Sequence, residues 1–85
     1  MRSLEFDVAA FEDLTWWVEN DRSTVMRILK LVIDIQRDPF DGIGKPEPLK
    51  YDFGGCWSRR IDQEHRLIYQ VTETKIRILA CRYHY

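Results

Sequence analysis

The chain has 85 residues, a net charge of −1 at pH 7, 45% hydrophobic and 32% charged content. That length gives one domain, residues 1–85, able to bury about 60–65% of its unfolded surface, and the apolar content excludes a disordered chain. Near-neutral charge excludes nucleic-acid binding by bulk electrostatics. No apolar stretch reaches a membrane span and Met1-Arg2-Ser3-Leu4-Glu5-Phe6-Asp7 lacks a signal-peptide core, so a cytoplasmic protein is expected.

Charge is unevenly distributed. Residues 1–38 hold five Lys/Arg against eight Asp/Glu, whereas residues 39–85 hold eight against six. From Lys75 onward there are three cations and no acid. The C-terminal half is the side that can face a phosphate, at a local site rather than across a broad basic patch. Cys56 and Cys81 form no CxxC pair, and two histidines give no zinc-type spacing. Free, buried or half-buried thiols in a reducing compartment are expected, with no metal and no cofactor.

Residues 3–6 read as a short strand, with Leu4 and Phe6 alternating against Glu5. Asp7 is a suitable N-cap for a helix whose apolar positions are Val8, Phe11, Leu14, Thr15 and Val18, with Glu12, Asp13 and Glu19 on the other side. Trp16 and Trp17 cannot both point inward, so one lies at an edge or an interface. Asn20-Asp21 ends this helix, and Asp21 or Ser23 caps a second. Its stripe is Val25, Ile28, Leu29, Val32 and Ile35, widened by Met26, Leu31 and Ile33. Asp38-Pro39 stops it, because the residue before proline is pushed out of the helical region.

Gly42, Gly44, Pro46 and Pro48 mark an irregular connection. Its two prolines flank Glu47 and bias it toward an extended backbone, which yields one carboxylate at a fixed position on a loop. A stiff connector whose acid merely keeps it soluble is the alternative. Residues 57–61 and 65–71 follow as strands. Residues 76–81 read as a buried strand, because apolar side chains fill both alternating faces. That strand runs into Arg82-Tyr83-His84-Tyr85. Terminal residues are ordinarily frayed and polar. A cation, two phenols and an imidazole on a stiff strand point instead to an anionic substrate, with a chance ending as the alternative.

Two three-residue loops, Asp62-Gln63-Glu64 and Thr72-Glu73-Thr74, have a common hairpin length. They put Arg60 opposite Arg66, Trp57 opposite Tyr69 and Ile68 opposite Ile78. One face then collects Trp57, Ile61, Leu67, Tyr69, Val71, Leu79, Cys81 and Tyr83 and receives the helices. The other collects Arg60, Arg66, Arg82 and His84, with Ile68, Ile76 and Ile78 at its far end. Facing arginines repel, so they require an anion: Glu47 or Glu64 in a salt-bridged surface, or a bound phosphate. This register leaves Arg66 opposite Ala80, roughly 13 Å along the strand from His84. A loop one residue different would invert the faces.

Lys45-Pro46-Glu47-Pro48-Leu49-Lys50, Trp57-Ser58-Arg59-Arg60-Ile61, Glu64-His65-Arg66-Leu67-Ile68-Tyr69 and Arg82-Tyr83-His84-Tyr85 resemble, in order and spacing, the YoeB branch of the RelE toxin family. The resemblance implies an α+β, microbial ribonuclease-like fold: an N-terminal strand and a two-helix hairpin packed on one face of a small antiparallel sheet. It implies the toxin of a type II toxin–antitoxin pair, a ribosome-dependent endonuclease that cleaves mRNA in the ribosomal A site. It also implies a homodimer neutralised by a YefM-like antitoxin, through which alone operator DNA is contacted. By position, Glu47 is implied as general base, His84 as general acid and Arg66 as the cation stabilising the phosphorane. Lys50, Arg60, Glu64 and Tyr85 are implied as supporting residues around the substrate, and Arg82 is taken with them as an RNA contact. Metal-independent RNA cleavage needs these three roles. An efficient base near neutrality would need Glu47 raised from about 4.3; burial against its prolines raises it and nearby arginines oppose. A ParE-like gyrase-binding toxin shares the fold without the catalytic constellation, and a decayed toxin that only binds an antitoxin is a further alternative.

Overall fold

Asp21 ends one helix and opens the next. Its carboxylate accepts hydrogen bonds from the Ser23 hydroxyl (2.7 Å), the Thr24 hydroxyl (2.8 Å) and the Thr24 backbone N–H (3.4 Å). The computed structural model describes residues 1–50 and 54–83; Tyr51, Asp52, Phe53, His84 and Tyr85 lie outside the described residues. Its elements are β1 (Ser3–Phe6), α1 (Val8–Asn20), α2 (Arg22–Arg37), β2 (Glu47–Pro48), β3 (Cys56–Arg60), β4 (Arg66–Val71) and β5 (Lys75–Ala80). The strands form one sheet in the order β1-β5-β4-β3-β2. This is the expected α+β arrangement with one correction: β1 runs parallel to β5, so the sheet is mixed. Nearly the whole chain separates those two strands, and no tight turn forces a reversal of direction. Glu47 and Pro48, expected in a loop, form a short edge strand antiparallel to β3.

The core lies between the helices and one sheet face. Ile28, Leu31, Val32 and Ile35 of α2 meet Leu67, Tyr69, Ile76 and Ile78 of the sheet. The α2 stripe follows the expected spacing at Ile28, Leu31, Val32 and Ile35, whereas Leu29, Met26 and Ile33, also expected in it, are exposed. Helix α1 is turned from its expected face. Ala10 and Trp17 are buried, whereas Val8, Phe11 and Val18 are 75%, 61% and 43% exposed. Anchoring outweighs apolar area here. The Trp17 indole N–H donates to the Cys81 carbonyl (2.8 Å), and Asp13, expected on the solvent side, accepts the Cys81 N–H (3.0 Å). Asp7 starts α1 without a side-chain cap, its own N–H donating to the Ile78 carbonyl (2.9 Å).

The hairpins divide the register reading. Between β3 and β4 it holds: Arg60 faces Arg66 and Trp57 faces Tyr69. Between β4 and β5 the loop is one residue shorter, because the Thr72 N–H donates to the Lys75 carbonyl (2.9 Å). Val71 then pairs with Ile76 and Tyr69 with Ile78. Ile76 and Ile78 consequently turn into the core, not onto the arginine face, which is the inversion a one-residue change produces. An irregularity between Ile68 and Tyr69 restores the alternation, so Ile68 faces Ala80 rather than Ile78, and Leu79 is half-buried rather than core.

Arg59 is fully buried. Its five N–H donors find five acceptors: the Asp34 carboxylate, the Ile43 (3.1 Å), Asp38 (2.7 Å) and Asp41 (3.3 Å) carbonyls, and the Tyr69 hydroxyl (3.2 Å). Tyr69 in turn donates to the Pro39 carbonyl (2.6 Å). The connection after α2 is therefore tied to β3 and β4 before it reaches β2. Gly44 completes the approach. It has φ +79°, its carbonyl accepts the Arg60 N–H (2.7 Å), and a Cβ there would lie 2.9 Å from Leu31 Cδ2 and 3.1 Å from the Arg60 carbonyl.

Burial pushes the Asp34 carboxyl up, but hydrogen bonds from Arg59, Arg37 and the Ile43 N–H outweigh it and hold the group at about 2. Removing one partner of such a pair leaves the other stranded. Arg59→Met is expected to lower the unfolding free energy by about 3–5 kcal/mol in a urea titration. Asp34 titrates lower in the folded chain than in the unfolded one, where the ordinary value is 3.8. Its contribution is thus complete above that ordinary value and is lost as pH falls toward about 2. Unfolding midpoints measured across that acid window should fall less steeply for Asp34→Asn than for the native chain.

Candidate active site on the sheet face opposite the helices

Directly paired residues point to the same side of a sheet. Glu47 pairs with Ser58, Ser58 with Ile68 and Ile68 with Ala80, a row on the face turned away from the helices. Two residues along β3 and β4, Arg60 faces Arg66 on that same side. Glu47 and Arg60 are exposed and Arg66 is half-buried. The backbones of Glu47 and Arg66 are about 12 Å apart by strand geometry, a span that a phosphodiester gripped from both sides can bridge.

Neutralisation of the arginine pair by Glu47 is absent among the described residues. Their ion pairs join Asp34 to Arg37 and Arg59, Glu5 to Lys75 and Arg77, Asp7 to Arg77, and Glu64 to His65, and none includes Arg60 or Arg66. Arg66 Nη1 donates instead to the carbonyls of Asp62 (3.2 Å) and His65 (3.4 Å), both neutral acceptors. Arg27 of α2 donates to the carbonyls of Ile61 (3.4 Å) and Arg60 (3.2 Å), holding the end of β3. The exposed Lys50 lies just past β2, and Glu64 lies in the hairpin loop with a carboxylate oxygen 3.7 Å from His65 Nε2.

The end of the described chain comes to Arg66. The Arg66 N–H donates to the Tyr83 carbonyl (2.7 Å), so Arg66 meets Tyr83 rather than Ala80. His84 follows Tyr83 in sequence; it and Tyr85 lie outside the described residues. The Arg82 guanidinium stacks on Trp16 (3.6 Å from the ring centroid) and beside Tyr83 (4.7 Å), and its Nε is buried without a hydrogen-bond partner among the described residues. Trp17 is the inward tryptophan and Trp16 the edge one, covered from within the chain.

Two contributors were not legible as such. Helical spacing places Asp13 on the solvent side, and His65 carries no local motif beyond its place before Arg66. Strand parity was the available signal, since His65 shares the inward side with Ile61 and Leu67. Both cysteines are free and buried, and burial pushes Cys81 up to about 12 and Cys56 up as well, so both remain thiols.

The model of the family described as YoeB-like toxin of bacterial type II toxin–antitoxin system matches residues 6–85. The chain is 54% identical over 85 residues, all of both chains, to the toxin RelK of Mycobacterium tuberculosis. Its fold matches the YoeB dimer of Staphylococcus aureus with a TM-score of 0.91 at 44% identity, covering 99% of this chain and 98% of that one. It matches the toxin of a YoeB–YefM complex from Staphylococcus aureus with a TM-score of 0.88 at 42% identity, covering 100% and 99%. The chain belongs to the YoeB-like toxins of bacterial type II toxin–antitoxin systems.

Proposed function

We propose that this toxin is a ribosome-dependent endonuclease of the bacterial cytoplasm that cleaves mRNA in the ribosomal A site and so inhibits translation. One observation carries the reading: two facing arginines share a sheet face with Glu47, and among the described residues Glu47 pairs with neither. Facing guanidinium groups repel, and a phosphodiester is the anion that relieves them. Near-neutral net charge agrees with a substrate held in place by the ribosome rather than by the toxin.

In this scheme Glu47 takes the proton of the 2′-hydroxyl, and the 2′-oxygen attacks the adjacent phosphorus. Arg66 stabilises the added charge of the phosphorane. The P–O5′ bond then breaks as His84 gives its proton to the departing 5′-oxygen. The products are a 2′,3′-cyclic phosphate and a 5′-hydroxyl, and the scheme requires no metal. Lys50, Arg60, Glu64, Tyr85 and Arg82 support the substrate. The likeness to a YoeB dimer and to a YoeB–YefM complex supports a homodimer and a YefM-like antitoxin as partner.

Primer extension on mRNA carried by translating ribosomes tests the reading. Glu47→Ala, Arg66→Ala and His84→Ala are each expected to slow cleavage by about 10²–10⁴-fold, the usual effect of losing an acid, a base or a charge stabiliser. Undiminished cleavage by all three variants refutes it. Intact mRNA accompanied by loss of gyrase supercoiling would favour the gyrase-binding alternative.

A further inference from the structure

The last described residue is held in an unusual backbone. Tyr83 has φ +65°, a left-handed conformation that bulky L-residues rarely adopt. His65 and Arg66, the latter opening β4, grip it. The Tyr83 N–H donates to His65 Nδ1 (2.6 Å), and the Arg66 N–H donates to the Tyr83 carbonyl (2.7 Å). The rings of His65 and Tyr83 lie 5.9 Å apart, and His65 is itself held edge-on against buried Trp17 (4.8 Å, 88°). Its backbone N–H is fixed by Asp62 Oδ1 (2.6 Å).

An amide can donate to Nδ1 only if that nitrogen carries a lone pair, so the ring proton of a neutral His65 sits on Nε2, the side of Glu64. The geometry points to His65 as a positioning residue: its Nδ1 lone pair holds Tyr83, the residue before His84 in sequence, in the left-handed turn beside Arg66. His65 reaches no substrate in this assignment. It acts through the Tyr83 amide, while the neighbouring Arg66 side chain remains available on the opposite sheet face. The kinetic consequence rests on the endonuclease reading, but the hydrogen bond itself does not.

Three variants of the full chain separate the acceptor from the ring. His65→Asn can return an oxygen near the Nδ1 position, His65→Gln carries its oxygen farther out, near Nε2, and His65→Leu supplies no acceptor. NMR of the native protein is expected to show His65 Nδ1 unprotonated and Nε2 protonated, with the Tyr83 amide protected from exchange. Protection of Tyr83 should fall by about tenfold or more in the Gln and Leu variants and be largely restored in Asn, with β4 amides unchanged as the control for folding. Single-turnover cleavage at saturating ribosomes should follow the same order while half-saturation stays constant. A protonated Nδ1, native Tyr83 protection in the Leu variant, or an Asn variant no better than Leu overturns the assignment. Absence of cleavage by the native protein would instead defeat the endonuclease reading and leave the exchange result as the test of the tether.

Discussion

Burial of the Arg59 guanidinium is the constraint on which the arrangement depends. A charge removed from water is tolerated only when it is paired and its hydrogen bonds are complete. Here that requirement draws together the end of α2, the connection that follows, and the ring of Tyr69 on β4. The connection is the segment that delivers Glu47 to the sheet edge. Adjacent residues on a strand point to opposite sides, so locking Arg59 inward commits Arg60 to the outer face. One buried cation thus fixes both the acid and the exposed cation of the proposed site.

The other end of the site is governed by a second set of anchors. Helix α1 gives up apolar burial of Phe11 and Val8 so that Asp13 and Trp17 can bind both polar groups of the Cys81 backbone. Trp16 then lies under Arg82, and His65 and Arg66 take Tyr83. A strand end that would ordinarily fray is held by side chains of α1, by the His65 ring and by the Arg66 backbone.

Much of this was legible in the residues. Strand and helix positions, the breaks at Asp21 and Asp38-Pro39, and the facing of Arg60 and Arg66 follow from turn chemistry and period. The second hairpin was not, because Thr72-Glu73-Thr74 suits a two- or three-residue loop equally, and the choice inverts Ile76 and Ile78. The face of α1 was obscured for a different reason: hydrophobic spacing weighs area, whereas polar side chains meeting exposed backbone decided the outcome. Arg59 could have been found. The parity that turned Trp57 and Ile61 inward also turned Arg59 inward, and a buried arginine demands an acid such as Asp34 on the facing helix. The resemblance supplied the roles of Glu47, Arg66 and His84, which no spacing rule assigns.

The edge strand beside Glu47 has one more property. The Leu49 N–H points to β3, where it meets the Cys56 carbonyl (2.9 Å). Alternation then aims the amide positions of residues 46 and 48 away from the sheet, and both are proline. The free margin offers no donor at either position, so another polypeptide cannot zip onto it as a sixth strand. Edge-to-edge growth of the sheet is blocked at this margin, where the chemistry is proposed to occur.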